Sequence, residues 1–385
     1  MGDSIYYIGI SQSLFVSFVL LTKNSKQGSD WVLFAWLLTI ATKLILVLLN
    51  DSFPAFVGTS FSSLLVSLTF GPFLFIYTKY LIYRKFFFRS KDYIHFIPFI
   101  IFAISYFIFF NGNLALEGHL LLEKDGYMFV RILYSAATII SVVYYTLATL
   151  YLLSRYRKNL TDRFSYFSSA NELNWVYFLT FLFALTYATL LVLNAYNLKL
   201  NKAYFNTGIV SDISITILAF SVSFFGLKQP YLFKVIKDKK RLKKEEIDEV
   251  VAEEIEEEVK EKYKQSTLSE KVKQEYIQKL LEHMETERPH LNSELTVQDL
   301  SKQLNVPRHH LTEVLNVDLE KNFFNFINEY RVEEVKKRLI DKKYEHLTIV
   351  AIAFDSGFNS KSTFNSIFKQ FTGKTPSKWR NTQLK

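Results

Sequence analysis

GIVSDISITILAFSVSFFGLKQPYLFKVIKDKKRLKKEEIDEVVAEEIEEEVKEK, residues 208–262, decides the architecture of this chain. Gly208 to Gly226 is apolar and about as long as the roughly 20 residues a helix needs to cross a hydrocarbon layer. Within a few residues the composition reverses: Lys237, Lys239, Lys240, Arg241, Lys243 and Lys244 are followed by ten acidic residues. Working outward, charge is sparse before residue 228 and dense after it, so one chain is built for two solvents. With 49% hydrophobic residues gathered into runs of that length among 385, a single soluble domain is excluded, because one core could not hide them all. The absence of cysteine excludes a disulfide scaffold and a thiolate metal site. A net charge of +9 suits anionic lipid or nucleic acid as a partner.

Length and hydropathy predict seven spans in an N-terminal domain, residues 1–228: Ile5 to Leu21, Trp31 to Leu49, Phe61 to Tyr83, Tyr93 to Phe110, Phe129 to Leu153, Leu173 to Tyr196 and Gly208 to Gly226. The first has Asp3 before it, with neither a basic start nor a small-residue cleavage motif, and reads as a retained helix. Lysine and arginine gather in alternate loops: Lys23 and Lys26; Arg84, Lys85, Arg89 and Lys91; Arg155, Arg157, Lys158 and Arg163; then the basic run after the last span. By the positive-inside bias these loops and the C-terminus face the cytoplasm and the N-terminus lies outside, in a multi-pass cytoplasmic (inner) membrane protein. Lys43 is the clearest charge within a span; its long stem is expected to snorkel to the outer interface, with a functional role as the other reading. Pro72 and Pro98 are candidates for kinks around a pocket. The half offers no catalytic constellation.

Residues 229–290 read as a charged helical connector. Ile247, Val251, Ile255, Val259 and Tyr263 recur every four residues, a stripe that suits pairing with a second copy of the chain, the alternative being a solvated, partly disordered charge run. The Lys and Arg cluster at its start suits anionic headgroups. A further helix, Ser269 to Glu287, presents Val272, Tyr276, Leu280, Leu281 and Met284 on one face.

Residues 291–385 read as an all-helical domain. Thr296 with Asp299 makes a capping start, and Val297, Leu300 and Leu304 share a helix face that must end at Asn305-Val306-Pro307. A second helix from Pro307 through Leu311, Val314 and Leu315 completes a helix-turn-helix. After a long helix, Phe323 to Leu339, the pattern returns: Thr348 caps Ile349 to Ser356, Gly357 supplies a left-handed turn, and Ser360 caps a helix to Thr372. Phe364, Ile367, Phe368 and Phe371 are expected inward, and Gly373 and Pro376 end that helix and open the last. From Lys361 onward there are six basic residues and no acidic one, a surface for a polyanion.

The run Ile349-Val350-Ala351-Ile352-Ala353-Phe354-Asp355-Ser356-Gly357-Phe358, with Ser360, Phe364, Phe368, Lys369, Gly373, Thr375, Pro376 and Arg380, resembles the signature of AraC-family transcription regulators. Leu300, Leu304, Leu311, Phe326 and Arg331 agree with it in the first half. The whole layout resembles the membrane-bound, multi-span kind found in Bacteroidetes-like bacteria. The resemblance implies two recognition helices entering successive major-groove segments of double-stranded promoter DNA. It puts Arg308, His309, Thr312 and Glu313 on the first, and Lys361, Ser362, Asn365 and Ser366 on the second, with Lys369 and Lys378 holding phosphates. Glu313, Glu320 and Val335 depart from the pattern: Glu313 would read cytosine or repel phosphate, and Glu320 replaces a frequent glycine at a turn. His309 and His310 suggest solvent exposure or phosphate contact rather than metal.

The reading is therefore an all-α chain: a seven-helix transmembrane bundle joined by a charged connector to a tandem helix-turn-helix domain. It has no catalytic residues, cofactor or metal, and couples a membrane or extracytoplasmic signal, whose ligand is unknown, to promoter binding. The alternative is a transporter or channel whose helical tail is a regulatory or protein-binding module.

Overall fold

The computed structural model describes residues 2–24, 26–52, 65–83, 89–106, 108, 128–166, 173–200, 204–240 and 269–383. Among them it is helical, with one isolated antiparallel bridge, Phe164 to Thr296. The chain divides into two compact units, one of Met1–Ser154 with Leu173–Val251 and one of Arg155–Glu172 with Ala252–Lys385.

The first unit contains α1 (Gly2–Thr22), α2 (Gly28–Ser52), α3 (Phe70–Tyr83), α4 (Ile97–Ser105), α5 (Met128–Arg163, whose last turns belong to the second unit), α6 (Asn174–Lys199) and α7 (Thr207–Lys240). Six helical stretches among the described residues are long and apolar enough to cross a membrane. Leu33, Trp36, Leu37, Ile40, Ala41 and Leu44 recur at helical spacing on α2 and are all buried, which makes α2 the centre on which α1, α3 and α7 pack. The approach of α1 depends on Gly9, where an added Cβ would stand 2.5 Å from Leu44 Cδ1 and 2.9 Å from Thr216 Oγ1. The outward faces keep large apolar side chains such as Phe15, Phe18, Ile140, Leu147 and Val192 exposed.

The fourth expected span, Tyr93 to Phe110, starts in a 3-10 helix, Ser90–Phe96, and continues as α4; residue 107 and residues 109–127 lie outside the described residues. Two other expectations for this region change. Pro98 stands in the first turn of α4, where the missing N–H is unpaired in any helix, so it starts that helix rather than kinking it. Pro72 lies within one helical stretch, Leu65–Tyr83, whose regular pattern is interrupted at Leu68–Thr69 just ahead of it, where a proline kink opens a helix. Lys43 does not snorkel: it is 3% exposed, lies 3.0 Å from Asp212 Oδ1 and donates to Ser211 Oγ at 3.0 Å. A buried ammonium that finds a carboxylate on a neighbouring helix has no reason to reach for an interface.

The second unit contains α8 (Glu270–Thr286), α9 (Val297–Leu304), α10 (Arg308–Glu313) continued by a π turn (Val314–Asp318), α11 (Phe323–Ile340), α12 (Ile349–Asp355), α13 (Lys361–Thr372) and α14 (Pro376–Gln383). The connector stripe Ile247 to Tyr263 lies outside the described residues. Thr296, Thr348 and Ser360 each accept from the backbone N–H three residues on, and Asp299 completes the capping box. Gly357 and Gly373 have φ of +94° and +71°. Glu320, at the turn before α11, is held at φ +52° where glycine would be unstrained.

Helix α11 is apolar on two faces because it is shared. Phe323, Phe326 and Ile327 join Leu280, Met284, Leu300 and Leu311 in one core, while Phe324, Val332, Val335 and Leu339 join Ile352, Phe364 and Phe368 in the other. Two expected core residues face out. Leu281, 38% exposed, lies one position round α8 from the buried Leu280 stripe, and Phe371, 37% exposed, sits in the last turn of α13 beyond the edge of its core, where Trp379 packs on Phe368 instead.

Candidate nucleic-acid interface

The six-residue helix α10 begins directly after Pro307 and carries Arg308, His309, Thr312 and Glu313. His309 is exposed; Arg308, Thr312 and Glu313 are half-buried. The Thr312 hydroxyl donates to the Arg308 carbonyl at 2.9 Å, so its proton is used within the helix. Glu313 lies 3.7 Å from Lys273 on α8, which also reaches Asp318 at 3.7 Å. His310 stacks on Tyr276 with ring centroids 5.9 Å apart, against His309 on its other side at 4.1 Å. The first candidate surface is thus partly engaged by the chain's own α8. Among the described residues no three metal-ligating side chains gather.

The second surface is laid out differently. On α13 the buried positions Phe364, Ile367 and Phe368 fall on one side, and Lys361, Ser362, Asn365, Ser366 and Lys369 all stand exposed on the other. Ser362 shares a hydrogen bond of 2.8 Å with the Ser360 cap. Lys369 and Lys378 are brought together, lining one open cleft with Gly373, Lys374, Thr375, Asn381 and Thr382. Three ammonium groups with hydroxyl and amide neighbours form an arrangement that receives phosphate oxygens.

The two halves meet at a buried arginine. Arg331 on α11 is 1% exposed. Its Nε donates to the His290 carbonyl at 2.8 Å and its Nη2 to the Asn292 carbonyl at 2.7 Å. Ser165 supplies two more acceptors, its carbonyl for Nη1 at 2.7 Å and its Oγ for Nη2 at 2.9 Å. Burial pushes the guanidinium down to about 9, still charged at neutral pH. Burial, reinforced by Arg288, pushes the His290 imidazole down to about 4. Burial raises the Glu334 carboxyl, but hydrogen bonds from Arg288 and Arg338 outweigh it and hold the group low. Gly357 closes the junction: a Cβ there would stand 2.2 Å from the His290 carbonyl oxygen and 2.9 Å from Arg331 Nε.

The sequence pattern marked Arg331 only as a motif residue and did not find Ser165 at all. The signal for Arg331 is an arginine in the middle of a helix flanked by Ile327 and Val335 on the same face; Ser165 carries no local signal.

Residues 300–382 match the family model of a helix-turn-helix domain. An uncharacterized HTH-type transcriptional regulator of Staphylococcus aureus (strain COL) is 33% identical over 91 residues, 24% of this chain and 12% of that protein. Another, from Pseudoalteromonas carrageenovora, is 27% identical over 90 residues, 23% of this chain and 51% of that protein. The chain therefore spans about an eighth of the length of the staphylococcal relative and about half of the other. No solved structure matches the chain. The C-terminal stretch carries an AraC-type helix-turn-helix domain, similar to those of proteins named as transcriptional regulators.

Proposed function

We propose that this chain is a membrane-tethered, sequence-specific DNA-binding transcription regulator of the multi-span AraC type, in which a membrane or extracytoplasmic signal controls promoter binding. The observation that carries the reading is α13: a recognition-type helix with its apolar face buried, its polar face exposed, and a three-lysine cleft at its end, inside a matched helix-turn-helix domain. Lys361 and Asn365 read bases, Ser362 and Ser366 adapt to either, and Lys369 and Lys378 hold phosphates. On α10, Arg308, His309 and Thr312 make the lighter contacts, and the Lys273 pairing directs Glu313 toward α8 rather than toward cytosine.

The tether rests on six long apolar helices and on the charge bias of the loops. The contact of Ser165 with Arg331 requires residue 165 and the C-terminal domain to share one side of any bilayer, and α6 and α7, which lie between them in the chain, supply an even pair of crossings. The stripe Ile247 to Tyr263 serves as a dimer helix, and the basic run before it meets anionic lipid.

The transporter reading gains one observation, the buried Lys43–Asp212 pair. Both readings meet the same test. Chromatin capture with the full chain recovers a defined set of promoters, lost when Lys361 and Asn365 are both replaced by alanine. Unselective or absent recovery returns the chain to the transporter reading.

A further inference from the structure

The stretch 155–166, the last turns of α5 and the three residues after them, belongs by its contacts to the C-terminal unit. Phe164 forms the antiparallel bridge with Thr296, the cap of α9. Ser165 donates from its backbone N–H and its hydroxyl to the Leu295 carbonyl, at 3.3 and 2.7 Å. Its carbonyl accepts from the Asn328 amide at 3.0 Å as well as from Arg331. Ser165 and Arg331 are each 1% exposed and Asn328 is fully buried. These are buried donors and acceptors that would be unmatched without each other, so the segment completes the interior of the unit rather than lying on it.

We propose that Phe164–Tyr166 is a docking strand for the DNA-reading unit, and that the loop after α5, rather than the acidic connector alone, is the input through which a signal reaches DNA. The inference rests on the regulator reading above. Its physical basis is where the strand lands. Thr296 starts the first helix-turn-helix, and the His290 carbonyl held by Arg331 abuts Gly357, the turn before the second recognition helix. One guanidinium therefore joins the strand to both halves. With the strand seated, the two recognition helices are held in one relation; with it withdrawn, Arg331 and Asn328 lose their Ser165 acceptors and that relation is released. A stimulus that displaces the end of α5 then changes DNA affinity, and DNA binding reciprocally favours the seated strand.

The absence of cysteine gives a direct test in the intact, membrane-inserted chain. Paired residues across an antiparallel bridge have Cα atoms about 4.5–5.5 Å apart, within the range of roughly 4.4–6.8 Å that a disulfide spans. The double variant Phe164→Cys with Thr296→Cys is expected to cross-link under mild oxidation, giving a faster-migrating band on a non-reducing gel. Adding Ser165→Pro, which removes the N–H and hydroxyl bonds to Leu295, is expected to slow that cross-link at least tenfold. In chromatin capture the oxidised pair keeps promoter occupancy within about twofold of the reduced pair, whereas Ser165→Pro alone lowers it at least tenfold at equal membrane abundance. Promoter occupancy with no cross-link overturns the docking strand and leaves the regulator reading standing. A cross-link with equal occupancy in the Ser165→Pro chain overturns the role of the strand as input. A cross-link in a chain that recovers no promoter supports the docking and overturns the regulator reading instead.

Discussion

The two helix-turn-helix halves share α11 yet are built unequally. In the first, the recognition helix is six residues long, runs into a π turn, and is contacted by α8 through Lys273 and Tyr276. In the second, a twelve-residue helix is capped by Ser360, closed by Gly373 and continued by a lysine cleft. Under the proposed function the inequality would divide the work: the second half offers an exposed polar face suited to a polyanion, while the first is the half contacted directly by α8 and by Phe164–Ser165.

Four measurements break or sharpen that division. The largest effect is expected at Gly357. Alanine there meets both a left-handed backbone and the His290 carbonyl, so local stability of α12 and α13 falls by about 3 kcal/mol in hydrogen exchange. Alanine at Gly373, with open space around it, costs about 1 kcal/mol. Equal losses at the two glycines would deny the junction its special place. Next, replacing Lys361 and Asn365 together removes about 1–3 kcal/mol of discrimination at each base that they read, measured as promoter competition at fixed salt, and exceeds the effect of replacing Arg308 and Thr312. The reverse order would exchange the roles of the halves.

The third measurement is pH. The folded unit holds His290 neutral, with its pKa about 4 against about 6.5 in an unfolded chain. Protons therefore bind the unfolded chain first. The stabilisation is complete above about pH 6.5 and is lost as pH falls toward 4, with Arg288, Arg331 and Lys337 opposing the imidazolium and Glu334 favouring it. Protection against hydrogen exchange should weaken between pH 6.5 and 4 around His290, and a His290→Gln chain should lack that slope. The smallest effect is a gain: Glu320→Gly relieves the φ of +52° and adds about 1 kcal/mol to the first half in the same assay. An unchanged stability there would show that the turn carries no strain.

Local chemistry explains what was legible. Thr296 with Asp299, Thr348, Ser360 and the glycines at 357 and 373 act within four residues of themselves, and their caps and turns stand where the sequence places them. At Glu320 only the resemblance marked a turn where glycine is frequent; the left-handed backbone itself is seen in the structure. Long-range pairings were not legible. Ser165 and Arg331 are 166 positions apart, and nothing near Ser165 distinguishes it from any loop serine. Lys43 joins Ser211 across 168 positions, with Asp212 beside it. Here a signal existed, because two opposite charges alone in separate apolar runs each demand a partner. The outward turn of Phe371 follows from where the core ends, a quantity no periodicity contains.

The seat of Ser165 sets a condition on severing this molecule. Of the five hydrogen bonds that the Arg331 guanidinium makes, two end on Ser165, which lies more than a hundred residues upstream of α8. A protease that clipped the chain just ahead of Ser269 would liberate a tail whose central cation had been stripped of those acceptors while α8 through α14 stayed together. Scission would thus leave an unfinished domain, and a working fragment would need residues 155–166 returned to it as a separate peptide.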